Sequence, residues 1–157
     1  MVKKNLWNLT FILSIFLIDR LTKIFFINME KKFGEVTIEV TTFLNFNLIW
    51  NDGIAFGLFS FDQKIYYNLM TLIIVLITFV IFVMILKTQK IEKFAFMMIF
   101  GGSLGNIFDR LYYSSVPDFL DVHINNFHWF IFNVADIFIC LGVILLIYME
   151  IFLRKKI

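Results

Sequence analysis

The chain is short of charge, cysteine and histidine, and each scarcity narrows what it can be. Asp, Glu, Lys and Arg make up 17% of its 157 residues, against 61% apolar side chains. A water-soluble domain is roughly half apolar and about a quarter charged, so this composition points to lipid as the solvent. One thiol, Cys140, builds no disulfide framework, and within an apolar block it reads as a small hydrophobe. The two histidines, His123 and His128, lack the spacing of a zinc motif and are expected as solvated residues of an outer loop. No serine stands beside a histidine at a suitable depth, which disfavours a serine hydrolase. No repeat or low-complexity segment is evident. No small-residue cleavage site follows the apolar N-terminus, so residues 1–18 read as part of an uncleaved helix.

What is present is a set of apolar blocks about 20 residues long, the length that a hydrocarbon core of roughly 30 Å requires. They predict spans at about residues 5–28, 65–86, 94–113 and 129–153. Three basic clusters flank them: Lys3 and Lys4; Lys87, Lys90 and Lys93; Arg154, Lys155 and Lys156. By the positive-inside rule these face the cytoplasm, which puts both termini inside. The expected fold is therefore an all-α membrane protein, a four-transmembrane-helix bundle forming one domain over residues 1–157. A small extracytoplasmic segment at about residues 30–64 follows the first helix, and the loose alternation of Val36 to Val40 suggests short strands there. Gly101, Gly102, Ser103 and Gly105 give the third span a face on which another helix can pack closely.

Polar residues collect at one height. At the helical rise, Asp19 stands roughly 20 Å, Asp109 about 24 Å and Asp136 about 27 Å above the inner boundary. Asp118 and Asp121 are tethered to that level by the short connection between spans three and four. A charge at the centre of a span costs about 2.5–3.5 kcal/mol and normally marks a functional site. Asp52 and Asp121 are expected to be solvated. Asp19 and Lys23 form an i,i+4 pair; Asn106 with Arg110, and Asn133 with Asp136, share helix faces at i,i+4 and i,i+3. Two adjacent carboxyl groups do not both ionise, so one keeps a proton while the other acts as base. A pair of this kind activates water against an amide carbonyl and protonates what leaves. The same acids also allow a second reading, a small four-helix ion or proton transport protein. A relay needs polar groups at several depths, however, and the inner halves of the blocks hold few.

Five motifs, in order along nearly the whole chain, resemble the lipoprotein signal peptidases (signal peptidase II, aspartyl protease family A8). They are Asp19-Arg-Leu-Thr22-Lys23, Asn51-Asp-Gly53-Ile-Ala55-Phe56-Gly57, Gly105-Asn106-Ile-Phe-Asp109-Arg110, Val116-Pro-Asp118-Phe119-Leu-Asp121 and Phe132-Asn133-Val-Ala135-Asp136. The resemblance implies that Asp118 and Asp136 are a catalytic dyad. It implies that Asn51, Asn106, Arg110 and Asn133, with Asp19 and Lys23, bind substrate or order the site. The implied substrate is a diacylglyceryl-modified prolipoprotein, cut N-terminal to its lipidated cysteine, in the bacterial cytoplasmic (inner) membrane near the outer face. Globomycin sensitivity is implied too. No metal or cofactor is expected, nor a nucleic-acid partner; membrane lipid and the prolipoprotein are the expected partners of a monomer. Three positions depart from the family pattern: Trp50 replaces a basic residue, Ser114 a glycine and Pro117 an aliphatic residue. Residues 43–61 are a candidate lid.

Overall fold

The computed structural model describes residues 2–53, 64–125 and 127–153. Along the chain run α1 (Val2–Phe33), β1 (Thr37–Thr41), β2 (Leu44–Asn51), α2 (Lys64–Lys87), α3 (Lys90–Tyr113), β3 (Val116–Ile124), β4 (Phe127–Phe132) and α4 (Val134–Tyr148), the last continued by a π-helical turn at Met149–Leu153. The four strands form one antiparallel sheet in the order β1-β2-β3-β4.

This corrects the all-α four-span bundle. The sheet draws two strands from the segment after α1 and two from the stretch after α3, where the sequence suggested a connector and the start of a fourth span. Among the described residues only Ile65–Lys87 and Val134–Phe152 are helices long and apolar enough to cross a membrane. In α1 the charges of Asp19, Arg20 and Lys23 interrupt the apolar run; α3 has Lys90, Glu92 and Lys93 at one end and Asp109 and Arg110 near the other. Residues 127–132 are aromatic apart from Ile131, a strand-favouring composition, and pair with β3 instead of extending α4. Only 17% of the apolar window of each candidate span is buried, as befits a helix whose faces meet lipid instead of a protein core.

α3 is the central helix, packed against α1, α2 and α4. Its glycines make this possible. A Cβ at Gly102 would stand 2.5 Å from the carbonyl oxygen of Ala135, and one at Gly105 would collide with the Asp19 carboxylate. Glycine therefore brings α1, α3 and the start of α4 into backbone contact. The sheet is seated on α1 through Phe26, Val36, Leu48 and Phe119, with Phe26 and Phe119 stacked at 4.3 Å between centroids.

The β2–β3 ladder joins strands that are separated in sequence by two helices. It sets Ile49 opposite Asp118, Trp50 opposite Pro117 and Asn51 opposite Val116. Proline suits this place because the β4 ladder begins only at Leu120, so β3 is paired on one side there. Ser114 caps α3 in the left-handed region, at φ 59°, a conformation that glycine adopts without strain. Trp50 donates from Nε1 to Glu30 at 3.1 Å and meets Tyr113 edge to face.

Candidate active site

α4 begins with a reciprocal cap. Asn133, the N-cap residue, accepts at Oδ1 from the backbone N–H of Asp136 at 3.2 Å, and Asp136 accepts at Oδ2 from the N–H of Asn133 at 3.1 Å. Two otherwise orphaned amides are satisfied in this way. The cap leaves the Asn133 amide nitrogen free, and it donates to Asp118 Oδ1 at 2.6 Å. One residue thereby binds both aspartates. Asn51, at the end of β2, donates to Asp118 Oδ2 at 2.9 Å, and Asn106 of α3 donates to Asp136 Oδ1 at 2.8 Å. All four carboxyl oxygens have neutral amide donors, which orient them without adding charge. Asp118 is 3% and Asp136 7% exposed.

Burial, and then repulsion from Asp136, push Asp118 up to about 7 from the ordinary carboxylate value of 3.8. Hydrogen bonds from Asn51 and Asn133 and the charge of Lys23 pull the other way. Interacting carboxyl groups titrate as a pair, so the proton belongs to both.

Behind the two aspartates lies a buried ion network. Lys23 Nζ reaches Asp109 Oδ2 at 2.7 Å, Asn106 Oδ1 at 2.8 Å and Asp19 Oδ2 at 3.0 Å. Arg20 pairs with Asp109 and Asp19. The other oxygen of Asp19 accepts from the N–H of Ala135 in the first turn of α4 at 3.0 Å. Two cations and two anions thus tie α1 and α3 to the helix that carries Asp136. Lys23 connects to Asp136 through Asn106.

Of the residues singled out in the sequence, Asn51, Asn106, Asn133, Asp118 and Asp136 come together. Asp19 and Lys23 lie one layer behind, both fully buried. Arg110 is buried and donates to the Asn106 carbonyl oxygen at 3.2 Å; among the described residues it bonds to neither aspartate. The role of Arg20 in the network was missed, although opposite charges recurring at one depth on α1 and α3 signal such a match. Asp52 is exposed, but Asp121, expected to be solvated, is 2% exposed. Residues 44–51 of the candidate lid are an interior strand of the sheet; its residues 54–61, with Ile54, Ala55, Phe56 and Gly57 of the second motif, lie outside the described residues.

Residues 11–152 match the family described as signal peptidase (SPase) II. The chain is 49% identical over 154 residues to a lipoprotein signal peptidase of Pelagibacter ubique (strain HTCC1062), covering 98% of this chain and 93% of the relative. It is 41% identical over 152 residues to that of Francisella tularensis subsp. novicida (strain U112), covering 93% of each. Among solved structures, a bacterial membrane enzyme determined by the in meso method at 2.3 Å superposes with a TM-score of 0.71 at 25% identity, over 96% of this chain and 91% of the other. A second, at 1.9 Å, gives 0.69 at 28% identity, over 96% and 94%. With the family match spanning nearly the whole chain and these relatives alike from end to end, the chain belongs to the signal peptidase II family.

Proposed function

We propose that this peptidase is of the aspartic type, with Asp118 and Asp136 as its dyad, and that it removes signal peptides from lipoprotein precursors. The observation that carries the reading is Asn133, which bonds to both carboxyl groups and holds them beside each other at the edge of the sheet. One carboxylate takes a proton from water as the water oxygen attacks the scissile carbonyl carbon; the other carboxyl group protonates the developing oxyanion. Collapse of the intermediate breaks the C–N bond, and a proton returned from the dyad leaves with the amine. Asn51 and Asn106 orient the two acids. Asp19 and Lys23 act as positioning residues, through Ala135 and Asn106, and Arg110 steadies the end of α3 beside them.

The substrate in this reading is a diacylglyceryl-modified prolipoprotein cut on the N-terminal side of its lipidated cysteine. The chain works in the bacterial cytoplasmic membrane, both termini inside and the dyad near the outer face. Two largely uncovered apolar helices and the basic clusters support that placement. The test is cleavage of a synthetic diacylglyceryl peptide by the purified chain and by Asp118→Asn and Asp136→Asn. Each substitution is expected to lower the rate at least ~10²–10⁴-fold, the usual worth of a general acid or base, while the protein stays folded. Wild-type turnover by either variant would overturn the dyad, and equal cleavage of an unlipidated peptide would overturn the substrate.

A further inference from the structure

The β3–β4 hairpin carries a second polar cluster, none of which bonds to Asp118 or Asp136 among the described residues. Asp121 and His123 are two apart on β3 and so share a face. In the ladder Asp121 faces Ile131 and Val122 faces Phe130, yet His123 faces His128, so the register slips by one residue between Val122 and His123. Such a bulge redirects a side chain, and here it brings His128 across to Asp121. Its Nδ1 lies 2.9 Å from both oxygens of Asp121. The two imidazoles stack with centroids 5.2 Å apart. One donor atom from each of the three residues lies within 4.8 Å of the other two.

We propose that Asp121, His123 and His128 form a site for a divalent transition metal of the zinc type, which clamps β3 to β4. The sequence assigned no metal to these histidines because the spacing of Asp121, His123 and His128 matches no zinc motif; the hairpin and its bulge supply the convergence. An Asp121–His128 ion pair by itself leaves something unmatched. Nδ1 of His123 is buried and has no hydrogen-bond partner among the described residues. A cation bound by one buried carboxylate and two neutral imidazoles uses all three side chains. Two nitrogens and one oxygen are a usual zinc set, with water as the fourth ligand. The side chain of His128 is 53% exposed, which opens that fourth position to solvent. Exposure also leaves the ring free to turn until the donors stand roughly 3.4 Å apart, the separation for ligands held about 2.0–2.2 Å from zinc.

The experiment uses the full chain in detergent, without a histidine tag and stripped by chelator, titrated with zinc chloride by calorimetry and by thermal unfolding. One zinc per chain at micromolar concentration, with a rise in Tm as zinc is added, is the expected result. His123→Gln and His128→Gln should each weaken binding by roughly 100-fold or more, since even outer partners of metal ligands are worth ~10–100-fold. Their zinc-free unfolding curves check that they fold, and the exposed His128 makes its variant the safer of the two. No saturable binding by the wild type, or unchanged binding by a folded His128→Gln chain, would overturn the site. The readout is metal binding, so it stands apart from the peptidase reading.

Discussion

The side-chain amide of Asn133 donates to Asp118 at 2.6 Å, while the backbone N–H of the same residue donates to Asp136 at 3.1 Å. The residue that starts α4 is thus also the bridge between the two acids. Helix nucleation and site assembly share one side chain, and substitutions separate the two roles.

Serine also caps helices well but is too short to bridge from α4 to Asp118. Asn133→Ser should therefore cost less than about 1 kcal/mol of stability and slow cleavage by roughly 100-fold, the scale of a 1 Å misplacement. Asn133→Ala loses the cap as well and should unfold at a lower temperature than the serine variant. Thermal unfolding and peptide cleavage, run side by side, make the comparison; equal activity of Asn133→Ser and wild type would show that the bridge is dispensable.

Activity should depend on pH through the Asp118–Asp136 pair. Burial and Asp136 raise Asp118 to about 7, so the proton the pair needs is lost as pH climbs past that value. The pH profile of kcat/KM should fall on its alkaline side from about pH 7, approaching tenfold per unit. Stability follows the same sign. Asp118 holds its proton in the folded state at pH values where the unfolded chain has released it. Its contribution is full below about pH 4 and lost as pH rises through about 7. Asp118→Asn should thus raise Tm more at pH 8 than at pH 4, and an equal rise at both would contradict the buried pair.

Lys23 is fully buried between Asp19, Asp109 and Asn106. Lys23→Met leaves two buried carboxylates facing Arg20 alone, and breaking a buried pair costs about 3–5 kcal/mol. Adding Asp109→Asn removes the excess negative charge and should recover part of the loss. Denaturation of the single and double variants gives the coupling; purely additive losses would mean that the two do not interact.

Ser114 ends α3 at φ 59°, a left-handed conformation that costs an L-residue about 1–2 kcal/mol. Ser114→Gly removes that strain at some cost in chain entropy, and a net gain of about 0.5–1 kcal/mol is expected. A rise in Tm with unchanged kcat checks it, since the Ser114 side chain has no part in the proposed site.

Much of the site was written locally. The Asn133–Asp136 spacing is itself a capping pattern, and the helical rise brings Asp19, Asp109 and Asp136 to similar heights before any packing is known. The strands were less legible. Residues 127–132 are as apolar as a membrane span, and a hydropathy window does not distinguish six aromatic and branched residues in a ladder from the first turns of a helix. The partner of β3 is β2, on the far side of two helices, and no local signal specifies a pairing over that distance. Asp121 looked solvated for the same reason: its neighbours are His128, across a bulged hairpin, and Asn45, opposite it on β2.

By itself the sequence determined the lipid-like composition and the family motifs, because hydropathy and motif spacing are properties of neighbours along the chain. Only the tertiary structure decided that a four-stranded sheet joins the helices, that Asn51 reaches Asp118, and that Lys23 stands behind Asp136 through Asn106. Those contacts depend on strand register and on glycine-permitted approach of backbones, which are set by how distant segments fit together.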